Sequence, residues 1–269
     1  MITSSRNPKI VRTRKLMQRK HRQRERLFRV EGLQALHMAL EAGYEPVELL
    51  YCEELFAGEG APSLLERFRK TRAELVSVER SVMEGLSGRE TPQGLVGIFP
   101  FIDVELERLA LEGNELIVVL DRLQNAGNLG TLLRTADAVG AGAVIMLEPC
   151  VDLYDPGAVR GSMGSLFNLP VVRMGDPEGL FAWLKEKGFR AAGADPYEGE
   201  LWHRGDWEGG TALVLGNEAR GLSADVRAFI DSWVRLPMVG KAESLNVSVV
   251  GGVLMYAWRM GNPVPGECA

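Results

Sequence analysis

Three polar clusters, each at the end of an apolar run, carry the side chains in this sequence that could do chemistry. The first is LDRLQNAGNLGTLLRT, Leu120 to Thr135; the second is LVLGNEARGLS, Leu213 to Ser223; the third is RLPMVGKAESLNVSV, Arg235 to Val249. The first brings three side-chain amides, Gln124, Asn125 and Asn128, and the guanidinium of Arg134 to a glycine-bearing turn. Its glycines, Gly127 and Gly130, lack the spacing and the lysine of a phosphate-cradling P-loop, and no G-x-G-x-x-G dinucleotide fingerprint is present. The second exposes main chain at Gly216 and offers Glu218 as a carboxylate able to pair with a basic group. The third leads from a proline stop into ESLNVSVVGGVLMYAW, where Ser244, Asn246 and Ser248 enter a helix that is apolar almost all round. Such a helix is expected to be deeply buried, with Ser244 as its cap and with another backbone packed against Gly251-Gly252. Polar groups at a buried helix entrance require partners, a ligand among them.

Taken alone, Arg134 reads as a solvated helix arginine, and LGNEARGL reads equally as a turn with a surface ion pair or as part of a site. The elements around them decide whether the clusters meet. Strand and helix alternate through the second half: LIVVLD, a helix from Asn128 to Val139, AVIML, a helix from about Pro156, LPVVRM, a helix from Pro177 to Lys187, FRAAGA, TALVLG, a helix around Ser223 to Asp231, SWVRLP, and a helix from Ser244 to Met260. This pattern predicts a mostly parallel sheet covered on both faces. Ligands gather at the carboxyl ends of such strands, where all three clusters fall. In the first helix Leu129, Leu132, Leu133 and Ala136 form the buried stripe, and Thr131 and Arg134 face away. The first hundred residues read as a smaller α/β unit. Two helices are expected, one through the basic segment after Asn7-Pro8 and one from Glu31 to Ala42; short strands follow at VELLYC, ELVSV and GLVGIF, with a helix at APSLLERFRK. The expected division is 1–100 and 114–269, with 101–113 as linker.

The net charge of -5 conceals an asymmetry. Residues 1–29 hold eleven lysines and arginines against the single acid Glu25, which leaves twenty basic and thirty-five acidic residues elsewhere. A local basic patch is what polyanion binding through counterion release needs, and Arg12, Arg14, Lys15, Arg19, Lys20 and Arg22 are its candidates for contact with nucleic acid. Cys52, Cys150 and Cys268 are widely spaced and without a C-x-x-C pair, so free thiols are expected and neither a disulfide framework nor a metal site is indicated. No apolar run approaches the roughly eighteen residues of a membrane span. With no signal-peptide pattern at MITSSRNPKI, a cytoplasmic location is expected.

In this order and spacing, NxGxxxR, LGNExxGL and PMxxxxESLNVS resemble the three signature motifs of the SpoU-type RNA 2'-O-ribose methyltransferases, of the SPOUT class. The likeness covers roughly residues 115–260, and SSRNPKI through RLFRVEG resembles the small RNA-substrate-binding domain of rRNA-modifying members. The resemblance implies an α/β fold whose C-terminal domain carries a deep trefoil knot, S-adenosylmethionine as cofactor, no metal, and a homodimer. It implies an adenosine pocket of main chain around Gly216, Leu236 and Leu245 with Met238 close by, and a polar set of Asn128, Arg134, Glu218, Ser244 and Asn246. Two departures stand out. The family commonly has an acidic residue and proline at Asn125-Ala126, and alanine within Val250-Gly251-Gly252.

Methyl transfer to a ribose 2'-hydroxyl is an in-line displacement that needs alignment first and then help for the departing proton. Arginine is nearly always protonated. Arg134 is therefore read as stabilising the developing alkoxide or gripping the adjacent phosphate rather than as a base. Asn128 would orient Arg134 or its loop, Glu218 would fix a partner cation, and Ser244 with Asn246 would hold substrate or shape the cofactor pocket. Large-subunit (23S) rRNA is the expected substrate; tRNA, or a non-catalytic RNA-binding role for the same fold, are the alternatives.

Overall fold

The computed structural model describes residues 1–204 and 207–263; Cys268 lies outside them. The chain divides into two compact units, one of Met1–Ile102 with Asp152–Asn168, the other of Asp103–Val151 with Leu169–Ala269. The partition expected from sequence was contiguous. It did not include the return of Asp152–Asn168 to the first unit.

The first unit begins with helices α1 (Pro8–Lys15) and α2 (Arg19–Glu25). Then come β1 (Leu27–Glu31), α3 (Leu33–Glu41), β2 (Glu48–Tyr51), α4 (Gly60–Phe68), β3 (Glu74–Ser77), α5 (Arg80–Leu86) and β4 (Leu95–Pro100). Its sheet runs β1-β4-β2-β3, antiparallel except for the β2–β3 pair. Asn7 caps α1 by accepting from the Lys9 amide, with Pro8 pre-set at the first position.

The basic segment is two helices rather than the single one expected. Leu16, fully buried, turns the chain between them. The break lets Arg22 reach back to the carbonyls of Leu16 and Met17, both at 2.9 Å. Arg26 ends α2 with φ 51°, and the chain enters β1, a strand absent from the sequence reading because its flanks are so highly charged.

The rest of the chain runs β5 (Leu116–Asp121), α6 (Ala126–Ala138), β6 (Ala143–Leu147), α7 (Pro156–Gly161), β7 (Val171–Met174), α8 (Pro177–Glu186), β8 (Arg190–Ala194), β9 (Glu200–Leu201), β10 (Thr211–Leu215), α9 (Ala224–Arg227), β11 (Ser232–Arg235) and α10 (Val247–Gly261). The second sheet has the order β7-β6-β5-β10-β8-β11-β9 with every pair parallel. Strands β5, β6 and β10 are buried at every position, as a sheet covered on both faces requires. The expected linker is not slack: Val104 bridges to Val172 and Leu106 is buried in the core beneath α8. Burial pushes the Cys150 thiol up to about 12, far from reactivity. No helix among the described residues is long and apolar enough to cross a membrane.

Helix α10 departs from expectation in two ways. It starts at Val247 with Asn246, not Ser244, as its cap, and Ser244 and Asn246 are exposed. Nor is it buried all round: Val249, Val253, Tyr256 and Met260 lie open on one side. Gly251 does mark a close approach, but to side chains. A Cβ there would sit 2.5 Å from Leu132 Cδ2 on α6 and 2.7 Å from Leu215 Cδ1 on β10.

Within the first unit, Asp152–Asn168 is fastened by aromatic packing and one buried ion pair. Tyr154 stacks on Phe101 at 3.9 Å between ring centroids, and its hydroxyl accepts from the Ile102 amide at 2.7 Å. Arg22, with its side chain only 2% exposed, donates to Asp152 Oδ2 through Nη2 at 2.6 Å and Nε at 3.1 Å. Arg22 is therefore a structural cation and not a phosphate contact, which corrects the sequence reading. Breaking a buried pair leaves a bare charge at a cost of about 3–5 kcal/mol. Asp152→Ala is expected to lower stability by that amount in urea unfolding, while Arg22→Met with Asp152→Leu recovers most of it; an unchanged midpoint for the single variant would contradict this role.

Candidate active site

In the second sheet the strand order reverses its sense about β5 and β10, which lie side by side with β6 beyond one and β8 beyond the other. Their carboxyl ends form a topological switch point, the usual crevice of open α/β sheets. The loop after β5 carries the first motif and the loop after β10 the second. Asn125 caps α6 by accepting from the Asn128 amide at 3.1 Å. After β10 the chain folds into a tight turn bridged between Asn217 and Gly221. Asn217 holds it, accepting from the Ala219 and Arg220 amides and donating to the Arg122 carbonyl at 2.9 Å. Only glycine fits at position 216, where a Cβ would lie 2.3 Å from the backbone carbon of Gly221.

One chain of hydrogen bonds joins all three motifs. Glu218 accepts from the amides of Gln124 at 3.1 Å and Asn125 at 3.0 Å. Asn128 Nδ2 donates to Glu218 Oε1 at 3.0 Å, and Asn246 Nδ2 donates to Asn128 Oδ1 at 3.0 Å. Asn246 in turn caps α10 by accepting from the Ser248 amide at 2.8 Å. Glu218 thus binds amides and not the cation expected for it, and Asn128, expected to orient Arg134 or the loop, bonds the second and third loops and not Arg134. Burial opposes the charge on Glu218, yet the hydrogen bonds from Asn128 and from the amides of Glu218 itself, Gln124 and Asn125 outweigh it and hold the carboxyl below its usual range.

Beside this junction lies a cavity of about 450 Å³ walled by the ends of β8, β10 and β11 and the entrance to α10. Gly216, Glu218, Leu236, Met238, Ser244 and Leu245 all line it, so the expected cofactor residues converge. Arg134 does not line it. It stands on the exposed face of α6, six residues and roughly 9 Å of helix rise from Asn128, with no hydrogen bond or ion pair among the described residues. The sequence reading missed the β8 contribution, Asp195 to Tyr197. Asp195 accepts from the Tyr197 and Glu198 amides and pairs with Arg227 at 3.0 Å, and the Tyr197 hydroxyl reaches the Glu243 carbonyl at 3.4 Å. The turn residues DPYEG after FRAAGA were the available signal.

Residues 115–256 match the SpoU rRNA Methylase family model. The chain belongs to the SpoU rRNA methylase family. Residues 7–97 match the MRM3-like substrate binding domain. Among relatives, the 23S rRNA (guanosine(2553)-2'-O)-methyltransferase RlmP of Bacillus subtilis is 31% identical over 96% of this chain and 98% of its own. The 23S rRNA (uridine(2479)-2'-O)-methyltransferase of Streptomyces viridochromogenes is 32% identical over 88% of this chain and 84% of its own. The solved structure of the SpoU methyltransferase AviRb from Streptomyces viridochromogenes, in complex with AdoMet, superposes with a TM-score of 0.86 at 30% identity, covering 96% of this chain and 99% of that one.

As a SpoU family member the chain is an S-adenosylmethionine-dependent RNA (ribose-2'-O) methyltransferase. The cavity fits that cofactor. Its volume lies in the roughly 300–1,000 Å³ range of small-molecule sites, and Leu236, Leu245, Val247 and Val250 offer an apolar seat for a purine. Bare main chain at Gly216, with Asn217 and Ser244, offers polar groups for the sugar and amino-acid ends.

Because the folded protein holds Glu218 below its ordinary pKa, its hydrogen bonds contribute stability that is present above the unfolded value and lost only as pH falls through the folded one. The stability difference between wild type and Glu218→Gln should therefore be constant from neutral pH to about 4.3 and shrink below that. Unfolding midpoints measured across pH would check it; a difference already fading near pH 6 would count against the arrangement.

Proposed function

We propose that this enzyme methylates a ribose 2'-hydroxyl of large-subunit ribosomal RNA, in the cytoplasm and as a homodimer. The observation that carries this reading is the Glu218–Asn128–Asn246 junction beside the cavity, which joins all three motifs at one crevice. The 23S rRNA named for the two relatives supports the substrate class. The backbone following β8, β10 and β11 that walls the cavity is read as the crossing region of the trefoil knot.

In this reading Gly216, Leu236, Met238 and Leu245 hold S-adenosylmethionine, which supplies the methyl group when bound. Ser244 trims the pocket at the entrance to α10. Glu218 is a poor base, since its carboxylate is committed to three donors and held below its usual range. Arg134, exposed and without a partner among the described residues, is the free cation on the same helix as Asn128. Its fixed fork of donors suits two tasks, gripping the phosphate beside the target ribose and stabilising negative charge on the 2'-oxygen as its proton leaves to water.

RNA contact in the first unit is assigned to Arg14, Lys15, Arg19 and Lys20, all exposed and without ion pairs among the described residues. Arg12 is set apart from them, because its guanidinium lies 2.6 Å from Glu48 Oε2. Support for the homodimer comes from α10, where Val249, Val253, Tyr256 and Met260 recur at helical spacing and are 51%, 39%, 50% and 79% exposed. An apolar seam of this kind is covered in the working molecule.

Purified protein should transfer labelled methyl groups to 23S rRNA fragments, and mapping 2'-O-methyl sites in cells with and without the gene identifies the nucleotide. Transfer to tRNA alone would reassign the substrate, and cofactor binding without transfer to any RNA would make the protein a binder. Arg134→Ala should reduce turnover by about 100-fold or more, the size of a lost transition-state donor, with cofactor affinity unchanged in calorimetry. Val253→Asp with Tyr256→Asp should convert the dimer to monomer in sedimentation; an unaltered assembly would remove α10 from the interface.

A further inference from the structure

A second recess, of about 220 Å³, lies wholly within the first unit. Arg29, Glu31, Arg89, Arg160, Met17 and Gly157 are among its walls. Its three guanidinium groups come from three separate stretches: β1, the loop after α5, and α7. Arg89 and Arg160 fall in none of the sequence motifs, and the reaction described above uses none of the three.

The charges in this recess do not cancel. Arg29 is buried and donates to Glu31 Oε2 at 2.6 Å. Glu31 also accepts from the Gly88 amide at 3.0 Å and from the Ser87 hydroxyl. Glu31 therefore neutralises Arg29, and its single charge leaves those of Arg89 and Arg160 uncompensated. The Arg89 guanidinium makes one long hydrogen bond among the described residues, 3.5 Å from Nη2 to the Glu31 carbonyl, and its Nε is out of reach of solvent without an acceptor among them. Arg160 is exposed and has no ion pair among them. Two guanidinium groups with no carboxylate thus face a recess of a few atoms' width. A cation is repelled from such a place, and a neutral acceptor would answer the Arg89 donor but leave the positive charge uncompensated. A tetrahedral oxyanion answers it, since a guanidinium fork matches two phosphate oxygens.

We propose that this recess binds a phosphodiester of the substrate RNA, with Arg89 and Arg160 as its donors and the Arg29–Glu31 pair as the rigid wall behind them. The assignment rests on the reading that the first unit handles RNA and adds a built site to the diffuse charge of α1 and α2. It also gives Asp152–Asn168 a task, because that segment supplies Arg160.

The test uses the full chain and a 23S rRNA fragment, with affinity measured over a series of salt concentrations. Arg89→Ala and Arg160→Ala should each weaken binding about fivefold to tenfold and lower the slope of log affinity against log salt by about 0.7–0.9. The unfolding midpoint and cofactor affinity should not change, and Arg160→Lys should restore most of the slope. Arg29 is left intact, since its loss would strand Glu31. If both alanine variants bind as wild type while replacing Arg14, Lys15, Arg19 and Lys20 abolishes binding, the recess is overturned and the RNA reading survives. If wild type binds no rRNA, both fall. If inorganic phosphate at constant ionic strength raises the melting temperature of wild type but not of Arg160→Ala, with RNA affinity equal in the two, the recess holds a small anion and the RNA assignment is overturned.

Discussion

The second unit turns on one carboxylate. Glu218 takes two backbone amides from the loop after β5 and a side-chain amide from the first turn of α6, and through Asn128 it reaches Asn246 at the head of α10. Each of these groups would otherwise face water alone at the mouth of a loop. Joined, they give three stretches of chain a single geometry, the first lying 90 residues from the second and 118 from the third. A carboxylate suits the place because amides at the start of a helix present partial positive charge, and because it can accept from three donors where a neutral amide would run short.

The parallel sheet makes that junction possible. Adjacent β5 and β10 deliver their loops to the same end, and β8 and β11 deliver two more. Gly216 then lets the turn of the second motif fold back on itself at a separation no side chain permits, which leaves main chain facing the cavity. Helix α10 completes the wall by settling onto α6 and β10 where Gly251 makes room for Leu132 and Leu215. Arg134 lies on the opposite, open side of α6. In the proposed reading, catalysis divides into a pre-assembled cofactor seat and a free cation that awaits the substrate.

In the first unit, charges that look alike in sequence do different work. Arg22 is locked under Asp152, Arg12 leans on Glu48, and Lys9 pairs with Glu48 and Glu74, whereas Arg14, Lys15, Arg19 and Lys20 remain in solvent. Burial separates them. A guanidinium out of water must find a carboxylate, and the chain supplies Asp152 from 130 residues away.

Much of this was legible in order along the chain. Alternating apolar runs and helix patterns carried the parallel sheet, since strands buried on both faces must be continuously apolar, and helix entrances such as Asn7-Pro8 and Asp176-Pro177 announce themselves through groups one or two residues away. Gly216 and Glu218 were legible as an exposed main chain and a carboxylate at a turn, while Leu236 and Leu245 came from the resemblance to the SpoU motifs. Their partners were not. That Glu218 would take amides instead of a cation, that Asn246 rather than Ser244 would cap α10, that α10 would keep an apolar side open, and that Arg22 would leave the RNA-facing set all depend on which groups arrive from distant stretches. Sequence determined the elements and the types of group brought to the crevice, because propensity and capping act over a turn of chain. Tertiary structure alone decided their pairing, because the free energy of a charge or an amide depends on what lies within a few ångströms in space, whatever the separation along the chain.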